Sequence, residues 1–135
     1  PYEFPLIRLG DVLLMLAEAY NENGQVNKAI VEVNKVRARV KMPELNSGPA
    51  WLAVNSKDEM TQRIRDERAF ELVGEGQRYW DIRRWGILLS TVKNATDIFG
   101  DLMYERVYQP RHETWPIPLV EMERNTNLKQ NSGWE

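Results

Sequence analysis

Between Leu9 and Tyr20 the apolar positions Leu9, Val12, Leu13, Leu16, Ala17 and Tyr20 recur at the spacing of a helix with one apolar face. Asp11 falls in the first turn of that helix and Gly24 just past its end, both favoured at helix termini. The spacing returns at Val26, Ala29, Ile30, Val33, Val36 and Val40, and Pro43 marks the exit. The few residues around Asn23 and Gly24 make this pair an antiparallel hairpin.

Leu13, Leu16, Ala17, Tyr20, Gly24 and Ala29 also fall at the packing positions of a tetratricopeptide repeat. Small Ala17 and Ala29 let the helices approach, and Tyr20 fills the groove. Leu14 and Met15 widen the apolar surface of the first helix, which predicts burial on two sides. Residues 41–55 read as loop. Ser56-Lys57-Asp58-Glu59 is a capping box: the Ser oxygen takes one amide and the Glu reaches back for another. A third helix is expected from there to about Val73, broken by Gly74 and Gly76, and a fourth from Gln77 to Leu89. Met103 to Tyr108 reads as a short strand. Trp115-Pro116-Ile117-Pro118 is expected to be rigid and extended, because each proline disfavours helix in the residue before it. One helical turn over Leu119 to Glu123 and an irregular tail follow. The fold class is all-α.

At 135 residues the chain is about one domain long, so one hydrophobic core is the default expectation. No stretch reaches the ~20 apolar residues of a transmembrane helix. A net charge of −2 creates no field to draw in polyanions, and nucleic acid is not an expected partner. With no cysteine and His112 as the single histidine, thiol catalysis, disulfides, thiolate zinc and two-histidine metal sites are excluded. No cofactor is expected. The chain opens Pro-Tyr-Glu-Phe-Pro without initiator Met or signal peptide and reads as part of a longer protein.

Candidate chemistry concentrates between Arg63 and Trp85. Half of the arginines lie there, interleaved with Asp66, Glu67, Glu71, Glu75 and Asp81. Met60, Ile64, Glu67 and Glu71 share one helical stripe, so two carboxylates stand where the apolar face should continue. Unpartnered they would be costly, which predicts arginines converging on them, with Arg63, Arg68, Arg78 and Arg84 as candidates. One reading is a carboxylate pair cleaving a glycoside, which needs the two facing across a cleft. The favoured reading is a structural network locking the third helix to the fourth. On it, Glu71→Ala costs ~3–5 kcal/mol if an arginine is left buried and unpaired.

Arg83-Arg84-Trp85 looks like a cation-and-ring piece of a nucleic-acid interface, but Asp81 and its acidic neighbours cancel the field, and Trp85 is expected to be packed. A metal site collecting Glu67, Glu71, Asp81 and His112 lacks a ligand spacing, and His112 is expected to be an ordinary loop histidine. Trp51, Tyr104, Tyr108 and Trp115 lie outside the helices. Sugars stack their C–H faces on such rings, so these four are the candidate ligand residues; the alternative is that they plug gaps under loops.

Glu67-Arg68, Glu71-Leu72, Glu75-Gly76, Arg78, Asp81-Ile82 and Arg84-Trp85 closely resemble the E-R-x-x-E-L-x-x-E-G-x-R-x-x-D-L-x-R-W signature of SusD/RagB proteins. Ile7-Arg8, Glu18-Ala19, Gly24 and Asn34-x-x-Arg37-x-Arg39 resemble the preceding helix pair of that family. Trp115-Pro116-Ile117-Pro118 with Asn125-x-Asn127-Leu128-x-Gln130-Asn131-x-Gly133-Trp134 resembles its C-terminus. Ile82 replaces the common Leu, while Thr126 and Ser132 stand where Pro is frequent. The resemblance spans residues 1–135 as the C-terminal portion of such a domain, with 6–40 the helix pair, 56–91 the signature helices and 92–135 loop and tail.

The resemblance implies an outward-facing outer-membrane lipoprotein whose lipid-bearing Cys lies upstream of Pro1. Such a protein captures oligosaccharides or other nutrients for a SusC-like TonB-dependent transporter and is not an enzyme. It further implies that Glu67, Arg68, Glu71, Arg78, Asp81, Arg84 and Trp85 are structural. A tetratricopeptide-type protein adaptor is the alternative, and a carboxylate-dependent glycosidase a more distant one.

Overall fold

The computed structural model describes residues 6–93 and 109–135. All regular elements there are helical: α1 Leu9–Glu22, α2 Val26–Arg39, α3 Lys57–Glu71, α4 Gln77–Arg84, α5 Leu88–Lys93 and α6 Leu119–Arg124, with 3-10 turns at Ala50–Leu52 and Pro110–Glu113. The expected strand at Met103 to Tyr108 lies outside the described residues. The chain divides into two compact units, Pro1–Arg78 and Tyr79–Glu135, where its length alone led us to expect one.

In the first unit α1 lies against α2 and α3, and α2 touches α3. Ala17 and Ala29 are fully buried, as close approach requires, and Leu14, Ile30, Val33, Val36, Met60 and Ile64 complete the helical part of the core. The inward face of α1 is rotated from the periodic stripe. Leu14, Ala17 and Asn21 point in, whereas Leu9, Val12 and Leu16 are 70%, 44% and 39% exposed. The second apolar side of α1, expected to be buried, is therefore open in this chain.

Helix ends follow local backbone chemistry. At the end of α1, Gly24 adopts φ 72° while Gly24 N–H donates to Asn21 O and Gln25 N–H to Tyr20 O, which satisfies two carbonyls that helix termination leaves without partners. α2 closes with the same pair of bonds, Lys41 N–H to Ala38 O and Met42 N–H to Arg37 O, but uses a lysine at φ 58°. A third copy forms at Gly86 (φ 68°), where Gly86 N–H donates to Arg83 O and Ile87 N–H to Ile82 O. That cap ends α4 at Arg84, so the single helix expected from Gln77 to Leu89 is two, α4 and α5. At the start of α3, Ser56 Oγ accepts from Glu59 N–H at 3.1 Å; the Glu59 carboxylate reaches past the cap residue to Asn55 N–H at 2.6 Å.

The segment from 41 to 55, read as loop, contributes three core residues, Leu45, Leu52 and Val54. Two asparagines hold it in. Asn34 accepts from Leu45 N–H (2.8 Å) and donates to its carbonyl (3.3 Å); Asn46 does the same to Val54 (2.7 and 3.3 Å). Each amide side chain thus pairs with both backbone polar groups of one residue, as a neighbouring strand would, and the apolar side chains can be buried without orphaned amides.

Candidate functional site

Two constellations stand out, one in each unit. In the first unit, arginines converge on the stripe carboxylates, but not the arginines expected. Glu67 accepts from Arg37 Nη1 at 2.7 Å, and both groups are buried. Glu71 accepts from Arg39 Nη2 at 2.7 and 2.8 Å and from Arg8, which also donates to the Glu71 carbonyl. Arg8 Nε is shared between the two oxygens of Glu75 at 2.8 and 2.9 Å. None of Arg63, Arg68, Arg78 and Arg84 bonds Glu67 or Glu71. Arg63 donates to Trp51 O, Arg78 to Arg65 O (3.4 Å), and Arg84 to Asp81 within α4 (3.0 Å).

Arg68 reaches instead to Asp11 Oδ1 at 2.8 Å, both groups being buried. Asp11 therefore serves as the counter-ion of a buried guanidinium, not as a solvent-exposed charge on the N-terminus of α1. The reason lies in direction. α3 packs along the hairpin, so its inward carboxylates meet Arg37 and Arg39 on the last turns of α2 and Arg8 at the entry to α1. Asn34-x-x-Arg37-x-Arg39 and Ile7-Arg8 carried that signal in the sequence without revealing which acids they serve.

Hydrogen bonds that Arg8 donates to Glu75, then to Glu71, raise the pKa of its guanidinium above the ordinary value, and the same bond to Glu75 holds the exposed Glu75 carboxyl below the usual carboxylate range. A depressed carboxylate stabilises the fold above its ordinary pKa, and this contribution is lost as pH falls through the lowered one. The Glu71 side chain is buried, but Arg8 and Arg39 are 30% and 59% exposed. Freed of Glu71, both can rehydrate. Glu71→Ala is accordingly expected to cost about 1–3 kcal/mol, below the figure for a buried orphan arginine. A urea melt of the full-length protein measures it; a loss above about 4 kcal/mol would show that the arginines cannot reach water.

Gly10 explains how tightly this corner is built: a Cβ there would stand 2.6 Å from Glu71 Oε1 and 2.7 Å from Arg8 Nη1. With their oxygens engaged by arginines, Glu67 and Glu71 do not have the open, opposed geometry a glycosidase needs. Among the described residues no cluster of three His, Asp or Glu side chains could hold a metal ion, and no helix is long and apolar enough to cross a membrane.

In the second unit the C-terminal tail clamps the Trp-Pro-Ile-Pro segment. Gln130 accepts from Ile117 N–H (2.7 Å) and donates to Ile117 O (2.9 Å), and Asn131 donates to Trp115 O at 2.6 Å. Trp134 Nε1–H is shared between Arg111 O (2.9 Å) and Thr114 O (3.0 Å), and the Arg111 guanidinium lies 5.0 Å over its ring. Gly133, at φ 84°, leaves space that a Cβ would deny, 2.7 Å from the Arg111 Cβ. His112 is more than a loop residue: its Nδ1 accepts from Gln109 N–H at 2.9 Å, and its ring leans on Trp134 at 5.5 Å. These contacts enclose a recess of about 310 Å³ lined by Tyr79, His112, Thr114, Trp115, Pro116 and Trp134.

Of the four candidate ligand residues, Trp115 lines this recess and is 70% exposed. Trp51 is 60% exposed on the Ala50–Leu52 turn of the first unit. It stands between Ala50 and Ala53, which border a polar hollow with Asn55, Glu59, Gln62, Arg63 and Asp66. Tyr104 and Tyr108 lie outside the described residues. Trp85 is half-buried with the Arg84 guanidinium 4.8 Å over its ring. Tyr79, His112 and Trp134 were not expected at a site; the tail motif placed Trp134 near Trp115 in sequence but gave no hint that the two rings share a wall.

Helices that hold one another by buried ion pairs, and that carry exposed aromatic rings on the segments between them, define an all-helical scaffold. Comparison with known proteins gives the family: the model of the SusD family matches residues 1–134, and the chain belongs to that family. A SusD-like protein of Formosa agariphila is 35% identical over 131 residues, covering 93% of this chain and 24% of that protein. The starch-binding protein SusD of Bacteroides thetaiotaomicron is 29% identical over 133 residues, covering 98% and 22%. The crystal structure of a SusD-like protein from Bacteroides fragilis superimposes with a TM-score of 0.77 at 29% identity, covering 95% of this chain and 25% of that one. The chain spans about a quarter of the length of these relatives.

Proposed function

We propose that this chain belongs to a surface protein that captures glycans or other nutrients and passes them to a SusC-like TonB-dependent transporter, without itself carrying out catalysis. The observation that carries the reading is membership of the SusD family along residues 1–134, with a starch-binding protein among the relatives. Trp51, exposed on the Ala50–Leu52 turn, Trp115, exposed on the extended Trp-Pro-Ile-Pro segment, and Tyr104 and Tyr108 are the residues we propose to meet the ligand. On the same family membership, the protein is held on the outer face of the outer membrane as a lipoprotein. The ion-pair network of Glu67, Arg68 and Glu71 with Arg37, Asp11, Arg39 and Arg8 keeps the helices of the first unit in register so that the Trp51 turn stays in place, and Arg84 pairs with Asp81 within α4.

A glycan array followed by calorimetry on the full-length protein tests the reading, together with co-purification from outer membranes. Binding of at least one glycan, without release of reducing sugar, and recovery of a TonB-dependent transporter are expected. Silence on the array combined with a soluble protein partner would replace it with the adaptor reading. That alternative has its own feature, a groove of about 550 Å³ between α1 and α2 floored by Leu9, Leu13 and Val36 and rimmed by Arg8, Lys35 and Arg39. All three cations are already paired, with Glu71, Glu75 or Glu32, which disfavours an acidic peptide there.

A further inference from the structure

The Trp115 recess has properties that packing alone does not require. An indole left 70% exposed gains the fold little, yet the backbone beneath it is fixed by Asn131 at the Trp115 carbonyl and by Gln130 at both polar groups of Ile117. A second indole of the recess, Trp134, is locked by two hydrogen bonds and a stacked guanidinium. A recess with one ring locked and the backbone of the other fixed loses little entropy when a ligand binds. Two polar groups stand beside them: the Tyr79 hydroxyl and the Trp115 indole N–H make no hydrogen bond among the described residues, although Tyr79 is half-buried in the recess wall. Both can exchange hydrogen bonds with ligand hydroxyls.

We infer that this recess is a sugar subsite that takes one pyranose ring, stacked on Trp115 and hydrogen-bonded by Tyr79. Its volume, about 310 Å³, lies at the lower limit of small-molecule pockets, which suits a single ring and not a run of several. Its lining includes no carboxylate, lysine or arginine, and the Arg111 guanidinium beside it is stacked on Trp134, so the ring it takes is neutral. The inference rests on the glycan-capture reading and goes beyond it by assigning a specific site, made from the C-terminal tail, to one sugar unit.

The test uses the full-length protein and saturation-transfer NMR with methyl α- and β-glucopyranosides, methyl α-mannopyranoside and methyl β-galactopyranoside, alongside calorimetry with the best glycan from the array. The wild type is expected to transfer saturation to the C–H face of at least one methyl glycoside. Trp115→Ala should abolish the transfer and weaken the glycan by about tenfold, Trp115→Phe should restore most of both, and Tyr79→Phe should weaken binding while leaving the melting temperature unchanged. Trp115 is 70% exposed in this chain, so Trp115→Ala is expected to leave the melting temperature unchanged, which is measured alongside. Glycan affinity unchanged in Trp115→Ala would overturn the subsite and leave the capture reading standing. A wild type that binds no glycan at all would overturn both, and transfer that survives Trp115→Ala would move the sugar elsewhere.

Discussion

Replacing Arg68 by alanine is expected to destabilise the protein by about 3–5 kcal/mol, among the largest effects of any single substitution outside the hydrophobic core. Arg68 is 4% exposed and its partner Asp11 7%, and Asp11 has no other bond among the described residues. Removing the guanidinium therefore strands a carboxylate in the interior, which costs far more than the pair itself contributes. Chemical unfolding of the full-length variant measures the loss; a value below about 1 kcal/mol would mean that water reaches Asp11. The paired change Arg68→Met with Asp11→Leu separates the two causes. It removes both charges of the pair at similar volume and should recover the part of the loss that the orphaned Asp11 causes.

Leu14→Ala is the second large effect, expected at about 2–5 kcal/mol. Leu14 is fully buried where α1 meets α2 and α3, in a core that also holds the fully buried Ala17, Ala29, Val33 and Met60. Three helices tied together by ion pairs cannot slump to fill the space, which pushes the cost towards the upper part of that range. Leu14→Met nearly conserves volume and should cost less than about 1.5 kcal/mol. Similar losses for the two variants would show that the surroundings, not the cavity, set the penalty.

The helical hairpin, the start of α3 and the extended Trp-Pro-Ile-Pro segment were legible because each is decided locally, by periodicity, a cap or a proline. The family signature was legible too, and so was the need of Glu67 and Glu71 for arginines. What the sequence could not supply was pairing across distance. Arg37 and Arg39 sit about 30 residues from their acids, and nothing in one-dimensional spacing distinguishes them from Arg63 or Arg78. The burial of Leu45, Leu52 and Val54 was hidden for another reason. Their backbone is paired by the side chains of Asn34 and Asn46, and amide side chains acting as a strand leave no periodic trace. The aromatic recess brings Tyr79 and Trp134, at the two ends of the second unit, onto one wall, a meeting that only the folded chain shows.

The charges beneath α3 also bear on how many alternatives the fold has to compete with. Apolar faces are forgiving: a helix slid by one turn along a hairpin of Val, Ile and Ala finds other methyl groups to touch. Glu67 and Arg68 are not forgiving, because each meets a counter-charge at the right depth, Arg37 on one side and Asp11 on the other. One turn of slippage would carry both into apolar surroundings at once. The network thus widens the energy gap between the native packing and its nearest misregistered rivals, and helical registry, more than net stability, is what these buried ions secure.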